Sequence, residues 1–453
     1  MSKLNRLGSF TKIAYGSGEF GISFTDTALG VLFAIFLVDV VGLAPRLAAL
    51  AVFIGKSWDY INDPLIGLLA DRTRTRWGRR RPFLLLGFIP YGISFALLWW
   101  RPPLQDAWQL TAYYALAYFF YDTLFTLVSM PYFALTPELT QDYDERTSLT
   151  SYRMAFSLVG GLVAFVVPLM MIGSMRPENA GRVSFMGIVF GAVSAIPLLF
   201  TFFGTREKAE YAFQQKPGLK ESIIAVRKNR PFWFATGIFL FTWLAVEMIQ
   251  NMLLFFLKYR MQLEAESDLI AGAVFVTAVI VLPFWVWVSK KMDKRKSYIL
   301  GMIFFSAVML TLIFLDPSLG FPAVVTLASL AGFGISAVHV LPWAMIPDAI
   351  EVDELQTGAR HEGIFYALVS LFKKMASSIS IPLTLLVMDW SGFISNAQTQ
   401  PVSAIWAIRI LTGPVPSVLL LCGILFAIYY PLNRTEHAET RRKIQTRRLN
   451  DPR

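Results

Sequence analysis

Residues 57–81 read SWDYINDPLIGLLADRTRTRWGRRR, and this stretch carries the two signals that decide the fold. Its first half ends an apolar run over residues 47–70, which is long enough to cross a bilayer. Its second half contains six arginines within ten residues. A cluster of arginines directly after an apolar span is typical of a cytoplasmic loop. The stretch therefore predicts a membrane span followed by such a loop.

The same alternation of apolar runs and short polar loops continues along the whole chain. Of its 453 residues, 55% are hydrophobic and 16% are charged, whereas a soluble domain carries about 25% charge. The predicted spans are residues 13–38, 47–70, 82–100, 110–135, 152–172, 183–203, 232–257, 268–288, 298–315, 322–346, 363–388 and 408–432. We therefore expect an all-α membrane protein with twelve transmembrane helices.

The longest polar stretch divides the spans into two sets of six. We expect an N-terminal bundle over residues 1–204, a cytoplasmic middle loop over 205–230 and a C-terminal bundle over 231–433. The basic tail, 434–453, is expected to be frayed. Lysine and arginine cluster in the second, sixth and eighth loops, which predicts an inner-membrane protein with both termini cytoplasmic. The same distribution accounts for the net charge of +10, so we expect no nucleic-acid partner.

The two halves of the sequence echo each other. Residues 134–138, ALTPE, follow the fourth span, and residues 344–348, AMIPD, follow the tenth. The arginine-rich second loop also has a basic counterpart in the eighth. A parallel six-plus-six repeat resembles the major facilitator superfamily, whose solute site lies at mid-membrane between the halves.

Enzyme motifs are missing from the sequence. There is no Walker loop and no dinucleotide fingerprint, and three histidines with one cysteine do not supply a metal cluster. We therefore expect a protein that is not an enzyme, uses no cofactor and draws energy from an ion gradient.

An acidic pair in the second span points to the coupling ion. Asp59 and Asp63 are four residues apart, so both carboxylates lie on one face of a helix. Two acids there repel each other unless they share a cation or a proton, and Asn62 offers an amide nearby. The alternative is that a lysine such as Lys374 neutralises them. We expect Na⁺ or H⁺ as the coupling cation.

Polar stripes on two other spans suggest a wall that faces the solute. Span one carries Glu19, Ser23 and Asp26 on one face. Span four carries Asp122, Thr126 and Ser129 with the same kind of spacing. The alternative for span one is a structural ion pair with a cation on a neighbouring span. Other intramembrane candidates are Arg153, Glu247, His339, Lys373 and Lys374, with Trp58, Tyr152, Trp243 and Trp343 as aromatic groups for a sugar ring or lipid chain.

Several motifs resemble the glycoside–pentoside–hexuronide:cation symporters, the melibiose-permease-like branch of the superfamily. They are residues 15–21, 57–67, 67–72, 76–79 and 348–362. The resemblance implies that Asp59 and Asp63 bind the cation with help from Thr126, and that Lys374 lies near them. It also implies that Arg153 lies near the sugar.

Two acidic positions of that family are serines here, Ser23 and Ser129. Asp26 and Asp122 lie one and two turns away and offer replacements. Ser129 removes one carboxylate ligand, which mildly favours protons over sodium. Residues 147–154 and 341–348 also resemble the sodium-dependent lysophosphatidylcholine symporters, a branch for which the loss of sugar-binding acids would suit an amphipathic substrate.

The loops predict a cytoplasmic gate. We expect charged side chains there to hold the cytoplasmic side closed during alternating access: Asp71, Arg72, Arg79, Glu138, Asp348 and Arg360. The expected function is symport of a sugar or glycoside with a cation by a monomer that contacts membrane lipid and the solute. The alternative is symport of a lysophospholipid or another amphipathic solute.

Overall fold

The computed structural model describes residues 7–140, 143–207, 219–358 and 361–450, and within these ranges the chain is helical. The helices of the first half are α1 (Ser9–Ile35), α2 (Pro45–Ser57), α3 (Asp59–Arg72), α4 (Arg81–Leu98), α5 (Ala107–Phe133), α6 (Thr136–Leu139), α7 (Tyr143–Ile172) and α8 (Ala180–Gly204). Those of the second half are α9 (Leu219–Lys228), α10 (Arg230–Phe255), α11 (Ser267–Met292), α12 (Lys294–Thr311), α13 (Gly320–Thr357), α14 (Glu362–Trp390), α15 (Val402–Thr412), α16 (Pro414–Ile428) and α17 (Arg434–Asn450).

In the described part of the chain, ten helical stretches are long and apolar enough to cross a membrane. The other two predicted spans are also helical, but each falls short of this length or this hydropathy. The second span is divided at Trp58 into α2 and α3, and the fourth, α5, is rich in tyrosine, which lowers its mean hydropathy. The prediction of an all-α membrane protein is confirmed.

Two polar segments contain helices that the sequence analysis did not anticipate. The middle loop includes α9, and the tail expected to be frayed forms α17. The tail helix finds partners on α13: His437 Nε2 lies 2.8 Å and Arg441 Nε 3.1 Å from the Glu351 carboxylate. Because these charge-assisted contacts come from a distant helix, the local sequence does not reveal them.

The chain forms two compact units. The first contains the described residues up to 207 together with 264–268 and 381–404. The second contains the described residues of 219–263, 269–380 and 405–450. The predicted boundaries near residues 204 and 231 stay a prediction.

Glycines let the helices of the first unit pack closely. α8 packs against both α1 and α4. A Cβ at Gly191 would lie 2.3 Å from the carbonyl oxygen of Gly92, and one at Gly21 would lie 2.1 Å from that of Ser194. Small residues at helix contacts are a common means of association in membranes, because dispersion forces act only at short range.

The core of the second unit is built from α10, α12, α13 and α16. Large buried side chains from these helices include Phe239, Tyr298 and Phe305, and Trp285 of α11 packs among them. Inside this core the hydroxyls of Tyr298 and Thr242 lie 2.7 Å apart and form a hydrogen bond with each other.

The end of α1 away from the arginine-rich loop continues as a π-helical turn, Phe36–Val40, which holds the buried Asp39. Ser395 donates a hydrogen bond to the Asp39 carboxylate (3.0 Å), and Asn396 donates to its backbone carbonyl (2.8 Å). The corresponding end of α10 also continues as a π-helical turn, Phe256–Met261. Such turns are frequent at functional sites.

A single carboxylate caps the start of α4. Glu207 accepts hydrogen bonds from the backbone N–H groups of Arg79 (2.6 Å), Arg80 (2.8 Å) and Arg81 (2.8 Å). Gly78, with φ of +107°, makes room for it, since a Cβ there would lie 2.5 Å from the Glu207 Cδ. Burial raises the pKa of the Glu207 carboxyl, although the three amide bonds act to lower it. The negative charge therefore faces the positive end of the helix.

We predict that Gly191→Ala lowers the melting temperature of the purified protein. The new methyl group has no room against the Gly92 carbonyl, and overpacking costs about 1–3 kcal/mol. The matched control is Gly181→Ala on the same helix, where a Cβ meets nothing within 4 Å. Equal melting temperatures for the two variants would contradict the packing described for α8.

We also predict that Glu207→Ala speeds hydrogen exchange at the amides of residues 79–81. Loss of the charged acceptor should raise their exchange rates about tenfold or more. Glu207→Gln keeps a carbonyl acceptor and should show a smaller effect. Glu178→Ala removes an exposed acid in another loop and serves as the control. Unchanged exchange at 79–81 in Glu207→Ala would show that the cap does not hold this loop.

Candidate functional site

The predicted acidic pair lies where α3 packs against α5. Asp59 and Asp63 are one turn apart on α3, and Thr126 of α5 lies between their carboxylates. The Thr126 Oγ1 is 3.3 Å from Asp59 Oδ1 and 3.2 Å from Asp63 Oδ1. Asp59 is 4% exposed and Thr126 is fully buried. Because a hydroxyl has one proton, Thr126 cannot donate fully to both carboxylates at once.

The oxygen atoms of this cluster suit a small hard cation. Two carboxylates and a hydroxyl are the kind of ligand that such ions prefer, and a proton would equally relieve the repulsion of the two acids. The donor set therefore makes the cluster a candidate site for a small cation or a proton.

The helix is locally weakened at the acidic pair. The helical hydrogen-bond pattern is irregular at Trp58, although its backbone keeps right-handed helical angles. Its indole N–H donates to Thr123 Oγ1 (3.1 Å), and its ring packs on Phe119. Pro64 has no backbone N–H, so one helical hydrogen bond to the carbonyl of Tyr60 is lost. Discontinuous helices are common at the ion sites of transporters.

Other predicted residues of α3 and α5 are also buried at this contact. Asn62 is 2% exposed and donates through Nδ2 to the backbone carbonyl of Asp122 (3.3 Å). The Asp122 side chain and Ser129 are buried on the same helix as Thr126. The structure thus brings Asp59, Asn62 and Asp63 of α3 onto the polar stripe of α5.

The polar stripe of α1 separates into three different environments. Glu19 is buried, and its Oε2 lies 3.7 Å from Nε of Arg153, which also lies over the Phe133 ring. Ser23 donates to the backbone carbonyl of Ser157 on α7 (2.9 Å). Asp26 is exposed. Glu19 thus lies beside a cation of a neighbouring helix, and its role at the solute stays a proposal.

Two of the predicted gating residues pair with each other. Arg79 lies 2.5 Å from the Glu138 carboxylate, and Arg80, which the sequence analysis did not single out, lies 3.2 Å from it. Arg72 is exposed. The predicted gating roles of the Asp71 side chain and of Arg360 fall outside the part of the chain that the structure describes.

The second unit has an equivalent ion pair. Asp348 accepts from Lys294 of α12 at 2.7 Å, and His437 of the tail helix lies 3.3 Å from it. Glu138 and Asp348 end the two echoing motifs of the sequence. The repeat therefore corresponds to an acid paired with the preceding basic loop in each half.

Two predicted binding residues lie on the second unit. Lys374 is partly buried on α14, and Trp343 of α13 is 36% exposed with its ring against the edge of Phe239. Their predicted roles at the cation and the solute stay proposals. Residues that the sequence analysis missed include Glu207, Asp39 and His437, all of which act through partners far away in the sequence.

Solved transporter structures share this fold. The chain matches a D-xylose–proton symporter with a TM-score of 0.68 at 14% identity, covering 93% of this chain and 96% of that one. It matches a nucleoside transporter with a TM-score of 0.60 at 13% identity, covering 93% and 98% of the two chains. These similarities support the predicted twelve-helix fold of the major facilitator superfamily.

Sequence comparisons extend the similarity to whole chains. An uncharacterized symporter of Synechocystis sp. is 32% identical over 97% of each chain. The sodium-dependent lysophosphatidylcholine symporter 1-A of Danio rerio is 27% identical, covering 96% of this chain and 88% of that protein. Residues 14–434 match the family described as MFS/sugar transport protein. The chain therefore belongs to this family of membrane transporters.

Proposed function

We propose that this protein is a secondary active transporter that moves an organic solute together with Na⁺ or H⁺. The observation that carries the proposal is the pair of the buried Asp59 and the partly buried Asp63, with the hydroxyl of Thr126 between their carboxylates. Carboxylates in the interior of a membrane protein are costly and usually mark an ion or proton pathway. The symporters among the relatives support coupling to a cation.

Cation binding at this pair would be linked to solute binding. A cation that neutralises Asp59 and Asp63 removes their repulsion and tightens the packing of α3 on α5. If the solute binds better to that arrangement, each ligand raises the affinity for the other by the same factor. The ion pairs at Glu138 and Asp348 would open and close the cytoplasmic side in alternation. On the resemblance stated above, Lys374 would lie near the cation.

A sugar or glycoside is the first candidate for the solute. The family description names sugar transport, and the motifs of the second span and of the 10–11 loop resemble glycoside–pentoside–hexuronide:cation symporters. Glu19, Arg153 and Trp343 would contribute to the solute site, with Ser23, Asp26 and Asp122 as further candidates. We place the protein in the inner membrane as a monomer with both termini cytoplasmic.

A lysophospholipid is the second candidate. It is supported by relatives matched over nearly their full length, which are sodium-dependent lysophosphatidylcholine symporters. On the resemblance stated above, Ser23 and Ser129 also stand where the sugar-transporting branch has acids. Thermal stabilisation of the purified protein by methyl glycosides or by lysophosphatidylcholine, with and without sodium, separates the two. Stabilisation by lysophosphatidylcholine alone would replace the first candidate with the second.

We predict that Asp59→Asn and Asp63→Asn each abolish cation-dependent stabilisation. Each single variant leaves one carboxylate beside a neutral amide, so no repulsion between two acids remains for a cation or proton to relieve. The measurement is the melting temperature in sodium against choline chloride, and at acidic against neutral pH. Reconstituted vesicles then test uphill accumulation of the solute found above.

The control for both acids is Glu178→Gln, which neutralises an exposed acid and should respond like the unmodified protein. Uphill accumulation by either aspartate variant would overturn the proposed coupling site.

We predict a graded result at Thr126. Thr126→Val removes the hydroxyl from between the two carboxylates and should weaken the apparent affinity for the coupling cation about tenfold. Thr126→Ser keeps the hydroxyl and should retain most of it. The half-maximal cation concentration for solute uptake measures both. If valine and serine behave alike, the hydroxyl is not a ligand.

A further inference from the structure

Two arginines meet at the end of the second unit that is opposite to its basic eighth loop, and none of the roles above uses them. Arg260 belongs to the π-helical turn that ends α10, and Arg409 belongs to α15. Both reach the short segment that follows α12. Arg409 donates a hydrogen bond to the backbone carbonyl of Ile313, and Arg260 donates to that of Leu315. The fold therefore holds two guanidinium groups against one segment of the chain.

Positive charge exceeds negative charge at this cluster. Arg260 Nη2 lies 3.4 Å from the carboxylate of Asp316, whose side chain is 60% exposed, so solvent weakens this ion pair. Arg409 is repelled by Arg260 and attracted by the same Asp316. The two accepting carbonyls add only partial negative charge. Among the described residues, one exposed carboxylate thus serves two guanidinium groups.

Both guanidinium groups have donors that the protein leaves unused. The hydrogen bonds of Arg260 and Arg409 to the carbonyls come from Nη2 in each case. The Nε atoms of both are buried, and neither has a hydrogen-bond partner in the described part of the chain. A guanidinium presents five N–H donors in a planar fork, which matches the oxygen atoms of a phosphate. The cluster therefore suits an anion that has several oxygen atoms.

Exposed apolar side chains flank the two arginines. The Cζ atom of Arg409 lies over the ring of Trp406, 4.6 Å from its centroid. Trp406 is 45% exposed, and Ile410, which follows Arg409 on α15, is 40% exposed. Phe314, between the two residues whose carbonyls accept, is 80% exposed. Because tryptophan is enriched where the membrane meets water, we expect the arginines to lie at the level of the lipid headgroups.

We propose that Arg260 and Arg409 bind the phosphate of an anionic phospholipid in the leaflet away from the cytoplasm. The phosphate oxygens accept from the guanidinium N–H groups, and the acyl chains pack along Trp406, Ile410 and Phe314. A headgroup that carries its own ammonium fits less well, because the excess of positive charge repels it. The leaflet follows from the predicted orientation, in which the basic eighth loop is cytoplasmic. The inference concerns a membrane partner and does not depend on the solute.

Lipid probes of matched chain length test the proposal on the full-length protein. Native mass spectrometry of the purified protein gives the apparent affinity for added phosphatidylglycerol, phosphatidylcholine and diacylglycerol. Phosphatidylglycerol has a phosphate and a net negative charge, phosphatidylcholine has a phosphate offset by an ammonium, and diacylglycerol has no phosphate. We expect phosphatidylglycerol to bind about tenfold tighter or more than either of the others. Inorganic phosphate at the same concentration has no acyl chains and should not displace it.

Variants assign the preference to the two arginines. Arg260→Gln and Arg409→Gln each remove one charge and should weaken the binding of phosphatidylglycerol about tenfold, with little change for diacylglycerol. Arg409→Lys keeps the charge and should keep part of the preference. Two exposed arginines of the first unit provide the controls, Arg176→Gln in the loop after α7 and Arg74→Gln in the arginine-rich loop. Both controls should bind phosphatidylglycerol like the unmodified protein.

Three results overturn the inference: phosphatidylglycerol binds no tighter than phosphatidylcholine, inorganic phosphate displaces it, or the folded glutamine variants keep the full preference. If a glutamine variant does not fold, a labelling experiment on the unmodified protein decides. A phosphatidylglycerol with a photoactivatable group beside its phosphate should label peptides that contain residues 310–316 or 405–412. Labelling confined to other parts of the chain would also overturn the inference.

Discussion

A carboxylate inside a membrane protein must replace its lost hydration with hydrogen bonds or a counter-ion, and this chain places two such groups one helical turn apart. The side chain that the structure sets between Asp59 and Asp63 is Thr126, with one proton for two acceptors. The backbone around them is correspondingly irregular, with a disturbed helical hydrogen-bond pattern at Trp58 and a proline at residue 64. Because Thr126 belongs to α5 and the two acids belong to α3, the charge of the pair and the packing of α3 on α5 are coupled.

At the arginine-rich loop the same constraint is met entirely by the protein. Glu138 accepts from two arginines, and Glu207 accepts from three backbone amides of the same loop. Asp348 meets Lys294 in the second unit. The charges of Glu138, Glu207 and Asp348 are thus each met by residues of the chain itself. The acid pair of α3 offers oxygen atoms of the kind that a small cation prefers.

The sequence predicts those features whose cause is local. Span lengths follow from the thickness of the bilayer, and Asp59 and Asp63 stand out because charge is rare in apolar helices. The irregularity of the helix at Trp58 does not stand out in the sequence, because hydropathy is averaged over many residues. Glu207, Asp39 and the tail helix were also missed, since each is fixed by groups more than eighty residues away in the sequence. The different environments of Glu19, Ser23 and Asp26 could not be predicted for a related reason: helical spacing gives a face but not the neighbours that each side chain meets.

The tail helix has a practical meaning for anyone who handles this protein. His437 and Arg441 tie α17 to Glu351 near the end of α13, the helix that also carries Asp348. A purification tag or fluorescent fusion joined after residue 450 is therefore mechanically connected to the ion pair of Asp348 and Lys294. An extension of this kind can therefore disturb the contacts of α17 with α13, and a tag placed elsewhere avoids this disturbance.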